Sequence, residues 1–180
     1  MASMSFDDVL LVPQYSDIES RKVLTTKNRL GDIELYLPII SSPMDTVTEV
    51  EMASMIDAHG GLGIIHRYNS PADQANLVRR AKLKDTKNVG AAIGVTGDYL
   101  ERAQAVVDSG ANVLCVDVAH GHHSMMKNAL AKLREVFGNS VHIMAGNVAT
   151  GKGACDLAEW GADSVRVGVG GGSICSTRLV

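Results

Sequence analysis

Residues 168–178 read Gly-Val-Gly-Gly-Gly-Ser-Ile-Cys-Ser-Thr-Arg, a glycine-rich loop that carries Cys175 directly after the apolar run Ser164–Val167. Glycines let backbone N–H groups close around an anion, and a thiol beside such an array is held where its thiolate can attack an electrophile. Free cysteine is mostly thiol at neutral pH, and the N–H dipoles, with Arg178 close by, lower the cost of ionising it. Thr177 stands two residues on, where its hydroxyl either exchanges a proton near the reacting centre or caps the turn. No Lys-Ser/Thr pair ends the loop, so it is not a P-loop, and no helical pattern runs on past it as a dinucleotide fingerprint requires. What is left is an anion cradle beside a nucleophile.

Further polar residues gather wherever a strand should end. Ser41, Ser42 and Asp45 follow one apolar run, His66 and Arg67 the next, then come Asp117 and His120, Gly146 and Asn147, and lastly Cys175 and Thr177. Singly, such residues cap helices; on a parallel sheet all five sets would meet at one rim. The run His120-Gly-His-His123 invites a metal, yet no carboxylate or further histidine stands at helical spacing to complete a site. Three cysteines without paired spacing argue for reduced thiols, with Cys115, inside Val113–Val116, and Cys155, on a helical pattern, read as buried and inert. Met52, Met55, Met125 and Met126 are assigned to the core or to helix faces, and only Met44 to the rim.

Positioning these groups falls to six short β-rich runs, at 37–41, 63–66, 89–95, 113–117, 142–145 and 164–167, separated by amphipathic segments near 48–59, 70–84, 98–109, 124–137 and 151–160. Asn69-Ser-Pro-Ala-Asp73 offers a helix cap followed by proline in the first turn, and Gly110 and Gly161 stand just past helix ends. Strands alternating with helices of this length imply βαβ units and a parallel sheet. Both a doubly wound open sheet and a (β/α)8 barrel satisfy the pattern. The open sheet places its phosphate fingerprint after the first strand, whereas here the glycines follow the sixth, which favours the barrel. Six strands make about three quarters of a barrel, with two raw edges.

The chain has 180 residues, 46% hydrophobic and 21% charged, which excludes disorder and allows a sizeable core. A net charge of -3 gives no broad attraction to nucleic acid or anionic lipid. Apolar stretches are strand-sized and the N-terminus lacks a basic-then-apolar pattern, so a cytoplasmic protein with no nucleic-acid or membrane partner is expected.

At these residues the chain resembles the IMP dehydrogenase/GMP reductase family, and the likeness runs over nearly its whole length. Phe6-Asp-Asp-Val-Leu-Leu-Val-Pro13 is similar to the family's N-terminal segment, Ile40-Ser-Ser-Pro-Met-Asp-Thr-Val47 to its first rim loop, Gly63-Ile-Ile-His-Arg67 to its second strand, Ala145-Gly-Asn-Val148 to its fifth, and Gly168–Arg178 to its catalytic loop. The resemblance implies a (β/α)8 TIM barrel of which residues 1–180 are the N-terminal portion, with no CBS insertion, since the segment between Arg80 and Val89 is too short for one. It implies that Cys175 attacks C2 of a purine nucleotide with Thr177 beside it. Ser42, Met44, Gly172 and Ser173 would hold the nucleotide, Asn147 would lie near the base, and Asp117 would grip the ribose of the NAD or NADP cofactor. The carbonyls of Gly170, Gly172 and Cys175 would ring a potassium ion.

Two branches of the family remain open. Ser41-Ser-Pro-Met-Asp-Thr-Val-Thr48 resembles dehydrogenases, which convert IMP, NAD and water to XMP and NADH. Asp117-Val-Ala119 and Met144-Ala-Gly-Asn147 are closer to reductases, which convert GMP and NADPH to IMP and ammonia. The first is the leading expectation and the second its alternative, with a non-catalytic nucleotide-binding fragment as a third reading. The family's remaining βα units, its flap and its water-activating base do not appear by Val180, so the chain is expected to be a portion of a complete enzyme that joins the remainder of the barrel and assembles as a tetramer.

Overall fold

Each apolar run forms a strand and each amphipathic segment the helix that returns the chain to the next strand. The structure, a computed structural model, describes residues 6–172. A short antiparallel hairpin comes first, β1 (Asn28–Leu30) and β2 (Ile33–Leu35), turning at Gly31 with φ +58°. Then follow β3 (Ile40–Ser41), α1 (Val50–Ala58), β4 (Leu62–Ile65), α2 (Pro71–Lys82), β5 (Val89–Ile93), α3 (Tyr99–Asp108), β6 (Val113–Asp117), α4 (Ser124–Phe137), β7 (His142–Val148), α5 (Gly151–Glu159) and β8 (Ser164–Val167).

Strands β3 to β8 pair in parallel in strict chain order. Ile65, Ala91, Ile93, Leu114, Val116, Ile143 and Ala145 face the helices, in one cluster with Val78, Val106, Leu130, Leu133 and Leu157. The alternate residues Leu62, Ile64, Ala92, Val113, Cys115 and Met144 face the other way and pack with Leu30, Ile33 and Leu35 of the hairpin. A doubly wound sheet carries helices on both faces and reverses its strand order. Sequential order with every helix on one face is the barrel arrangement, here a half-barrel whose concave side is filled by the hairpin. Each fully buried Leu or Ile of the helix-facing layer contributes roughly 1.5–3 kcal/mol of burial free energy.

The start of α2 follows the cap read from Asn69-Ser-Pro-Ala-Asp73, and α5 has a cap that was not read. Ser70 Oγ accepts from the N–H of Asp73 with Pro71 opening α2, and Thr150 Oγ1 accepts from the N–H of Gly153 at α5. Gly110 and Gly161 take φ values of +105° and +109° past α3 and α5, in the region that glycine alone adopts at little cost. Cys155 departs from expectation: it is exposed, because Gly153 and Leu157 occupy the buried face of α5 and a residue midway between them points outward. Met52 and Met55 likewise lie on the solvent side of α1, while Met126 is buried.

At the N-terminal ends of the strands, a cavity of about 430 Å³ is lined by Asp32, Asn88, Asn112, Arg134, His142 and Asp163. Its polar groups mostly serve each other: Asn112 Oδ1 accepts from Val89 N–H, Asp163 accepts from Ile143 N–H and pairs with Arg134, and His142 Nε2 meets Ser164 Oγ at 2.8 Å. The hairpin turn sits on the His142 ring, where a Cβ at Gly31 would come within 2.8 Å of Nδ1. Burial holds the His142 pKa below the usual histidine value; Arg134 adds to this, and Asp163 and Asp32 oppose it. The folded state therefore favours the neutral ring, and the stability it confers is lost as pH falls below about 6.5 and through the depressed folded value. Unfolding free energies at about pH 7 and about pH 5 should show a steeper acid loss for the protein than for His142→Gln, and equal losses would contradict this.

Candidate active site

The opposite, C-terminal ends of the strands gather the polar residues that the sequence marked. Ser41 ends β3, and the loop after it is tied down by Thr48, whose Oγ1 lies 2.9 Å from Ser41 Oγ and donates to the carbonyl of Ser42 at 2.6 Å. Thr48 is fully buried, while Ser42 and Met44 are exposed at the rim. Asn147 follows the core of β7 and donates through Nδ2 to the carbonyl of Gly168 at 2.7 Å, joining the end of β7 to the start of the glycine-rich loop. Gly170, with φ +62°, and Gly172 continue that loop. Ser173, Cys175 and Thr177 lie outside the described residues.

The centre of the mouth is an ion pair. Asp117 on β6, Gly146 on β7 and Arg166 on β8 stand in one row of the sheet, paired Asp117 with Gly146 and Gly146 with Arg166. A Cβ at Gly146 would come within 2.7 Å of both Cβ and the carbonyl oxygen of Arg166. The missing side chain lets Arg166 cross β7 and bond the carboxylate of Asp117 through NH1, with Cys115 Sγ at 3.5 Å from the same nitrogen. Arg67, from the loop after β4, donates to the backbone carbonyl of Asp117 at 3.3 Å. Below the mouth, Ser41, Ser42, Ile64, Met144 and Arg166 line a cavity of about 190 Å³.

Electrostatics separate the described thiols. Burial pushes the Cys115 thiol from its ordinary 9.0 up to about 11; Arg166 opposes the rise and Asp117 adds to it. A raised thiol pKa favours the neutral folded state, so stability is present below about pH 9 and lost as pH rises towards 11, about 3 kcal/mol in all. Cys115→Ala should flatten that alkaline loss between about pH 8 and about pH 10.5 in denaturant melts, and an unchanged slope would refute the assignment.

Not every marked residue enters the mouth. His66 is buried and bonds Glu49 at 3.0 Å, bracing α1 against the loop after β4. The run His120–His123 disperses: His122 meets Asp156 at 2.7 Å, His123 caps α4, and His120 is exposed. Among the described residues no group of three His, Cys, Asp or Glu side chains can hold a metal ion. Arg166 was not singled out from sequence, where it is one polar residue in a short strand; the alignment of Asp117, Gly146 and Arg166 across strands, all with the alternation of inward-facing residues, is the signal that finds it.

Fold and mouth together define a parallel β/α-barrel protein with its candidate site at the C-terminal rim. The family profile described as "IMP dehydrogenase / GMP reductase domain" matches residues 3–180, and the chain belongs to that family. Inosine-5'-monophosphate dehydrogenase of Cryptosporidium parvum is 35% identical over 98% of this chain and 54% of its own. GMP reductase of Leishmania major is 29% identical over 98% of this chain and 63% of its own. The crystal structure of the inosine 5' monophosphate dehydrogenase from Legionella pneumophila superposes with a TM-score of 0.83 at 44% identity, covering 99% of this chain and 54% of the other. The chain thus spans between 54% and 63% of the length of these relatives. Among the described residues no helix is long and apolar enough to cross a membrane.

Proposed function

We propose that the chain carries the nucleophile half of a purine nucleotide oxidoreductase of the IMP dehydrogenase type. The observation that supports it best is that β8 delivers the segment beginning at Gly168 to the rim that already holds Ser42, Asp117, Asn147 and Arg166. In this reading the Cys175 thiolate adds to C2 of IMP, C2 gives up a hydride, and water displaces the thiol to release XMP, so the substrate loses two electrons and gains one oxygen. Thr177 stands beside the reacting sulfur. Ser42, Met44, Gly172 and Ser173 hold the nucleotide, and Asn147 meets its base. A bound nicotinamide cofactor supplies the hydride acceptor. Arg166 engages Oδ1 of Asp117, which leaves Oδ2 of a carboxylate about a quarter exposed to take a ribose hydroxyl. The carbonyls of Gly170 and Gly172 are the hard oxygen donors a potassium ion takes, with that of Cys175 as a third. The six strands belong to one barrel catalytic domain, completed by its remaining strands and assembled as a homotetramer.

GMP reduction is the second reading, favoured by Asp117-Val-Ala119 and Met144-Ala-Gly-Asn147 and by relatives such as the GMP reductase of Mycoplasma mycoides, 32% identical over 99% of this chain. Incubating the complete enzyme with IMP and NAD, or with GMP and NADPH, separates the two. The first pair is expected to raise the reduced-nicotinamide absorbance; a fall with the second pair alone would establish the reductase. Silence with both would reject either reaction and leave a nucleotide-binding protein.

A further inference from the structure

A polar network lies buried on the helix side of the sheet, just behind the mouth, where apolar packing is the rule. Gln74, in the first turn of α2, is 0% exposed. Its Nε2 donates to the carbonyls of Ile65, at 3.3 Å, and Ala92, at 2.8 Å, and its Oε1 accepts from Arg102 at 3.1 Å. Arg102, in the first turn of α3, is also buried and donates to the Asn69 carbonyl at 2.8 Å and to Asp98 at 2.9 Å. A cation at a helix N-terminus opposes the helix dipole, and a buried guanidinium forfeits hydration. The pair with Asp98 supports α3 locally, but the bonds to Gln74 and to the Asn69 carbonyl lie outside the helix, and helix stability does not account for them.

The network's partners show what it holds. Pairing between β4 and β5 runs through Gly63–Val89, Ile64–Gly90 and Ile65–Ala91 and then stops. Beyond that point the Ile65 and Ala92 carbonyls need donors from outside the ladder, and the single amide of Gln74 satisfies both. The loop that follows, residues 66–69, is pinned at each end. Tyr68 N–H donates to His66 Nδ1 at 3.2 Å, which leaves the proton on Nε2 to be donated to Glu49, while Arg102 grips the Asn69 carbonyl. Between the pins stands Arg67, which passes Gly94, where a Cβ would lie 3.7 Å from its NH1, to reach Asp117 on β6. Its Nε is, among the described residues, the one buried side-chain nitrogen or oxygen without a hydrogen-bond partner.

We infer that Gln74 and Arg102 are positioning residues that lock the loop between β4 and α2, so that Arg67 is presented, preorganised, at the barrel mouth, anchored through one N–H on the Asp117 carbonyl and with further guanidinium N–H groups left for an oxygen acceptor of the bound nucleotide or its cofactor. The inference rests on reading the mouth as a nucleotide site. Two measurements on the protein test it, with Gln74→Met and Arg102→Met as variants that keep volume and drop the polar heads. Amide exchange over residues 66–70 is expected to rise about tenfold in each variant, the size of one lost hydrogen bond, while exchange in the hairpin 28–35 stays unchanged. Affinity for IMP with NAD, or GMP with NADPH, is expected to fall about tenfold in Gln74→Met and in Arg67→Ala, and Gln74→Met is expected to add nothing in the Arg67→Ala background. Unchanged exchange at 66–70, an equal rise in the hairpin, or additive losses of affinity would overturn it. If neither nucleotide pair binds the unaltered protein, the assignment of the mouth fails, and the exchange measurement alone decides the clamp.

Discussion

Cys175→Ala is expected to lower turnover at least about 10⁴-fold while nucleotide affinity changes no more than a few-fold. A covalent route divides a difficult hydride loss into addition and release, and alanine removes the bond-forming atom while keeping every glycine of the loop. The other thiols make the comparison sharp. Cys115 is fully buried with its pKa pushed up to about 11, so almost none of it is thiolate at neutral pH. Cys155 is exposed, but it lies on the outer face of α5, away from the mouth. Initial rates, with intact-mass detection of an adduct from a 2-halopurine nucleotide, read the result. An adduct should form with the unaltered protein and with Cys155→Ala, and not with Cys175→Ala; an adduct surviving in Cys175→Ala would place the nucleophile elsewhere.

Much of the barrel was legible because burial on both faces leaves a continuous apolar run for each strand and a 3.6-residue pattern for each helix. Val113–Asp117, Ser164–Val167 and Ser124–Phe137 stand at the limits their patterns imply. β3 is shorter than its run, starting at Ile40 rather than at 37, since Leu37 and Ile39 instead bond to Gly60 and Leu62 around the turn after α1. The hairpin went unread although Gly31-Asp32 between Leu30 and Ile33 is a two-residue turn signal, because three-residue strands carry too little alternation to stand out. The Asp117 rim position was readable as the end of a strand; its partner was not. Arg166 depends on register between strands and on a glycine in the strand between them, and neither is written in any one segment. Gln74 and Arg102 were hidden for the opposite reason: polar residues on amphipathic helices read as solvated until packing shows them buried.

Asp117→Ala is expected to cost about 2 kcal/mol of stability and at least about 10²-fold in turnover, by separable causes. Removing one member of a fully buried pair costs about 3–5 kcal/mol and of an exposed pair less than about 1 kcal/mol. Side chains 27% and 25% exposed lie between these limits. The stability loss comes from leaving the Arg166 guanidinium inside the barrel with Cys115 as its remaining contact there, and it also draws the Cys115 thiol downward, since Asp117 now helps raise it. Arg166→Met in the Asp117→Ala background removes the stranded charge and is expected to bring stability back to within about 1 kcal/mol of the starting protein. Turnover should stay low in the double variant, because no side chain then offers the carboxylate oxygen proposed to meet the cofactor's ribose. Denaturant midpoints and initial rates measured on the two single variants and the double variant resolve the two effects. Recovery of turnover in step with stability would reduce Asp117 to a counter-ion for Arg166 and remove it from the cofactor site.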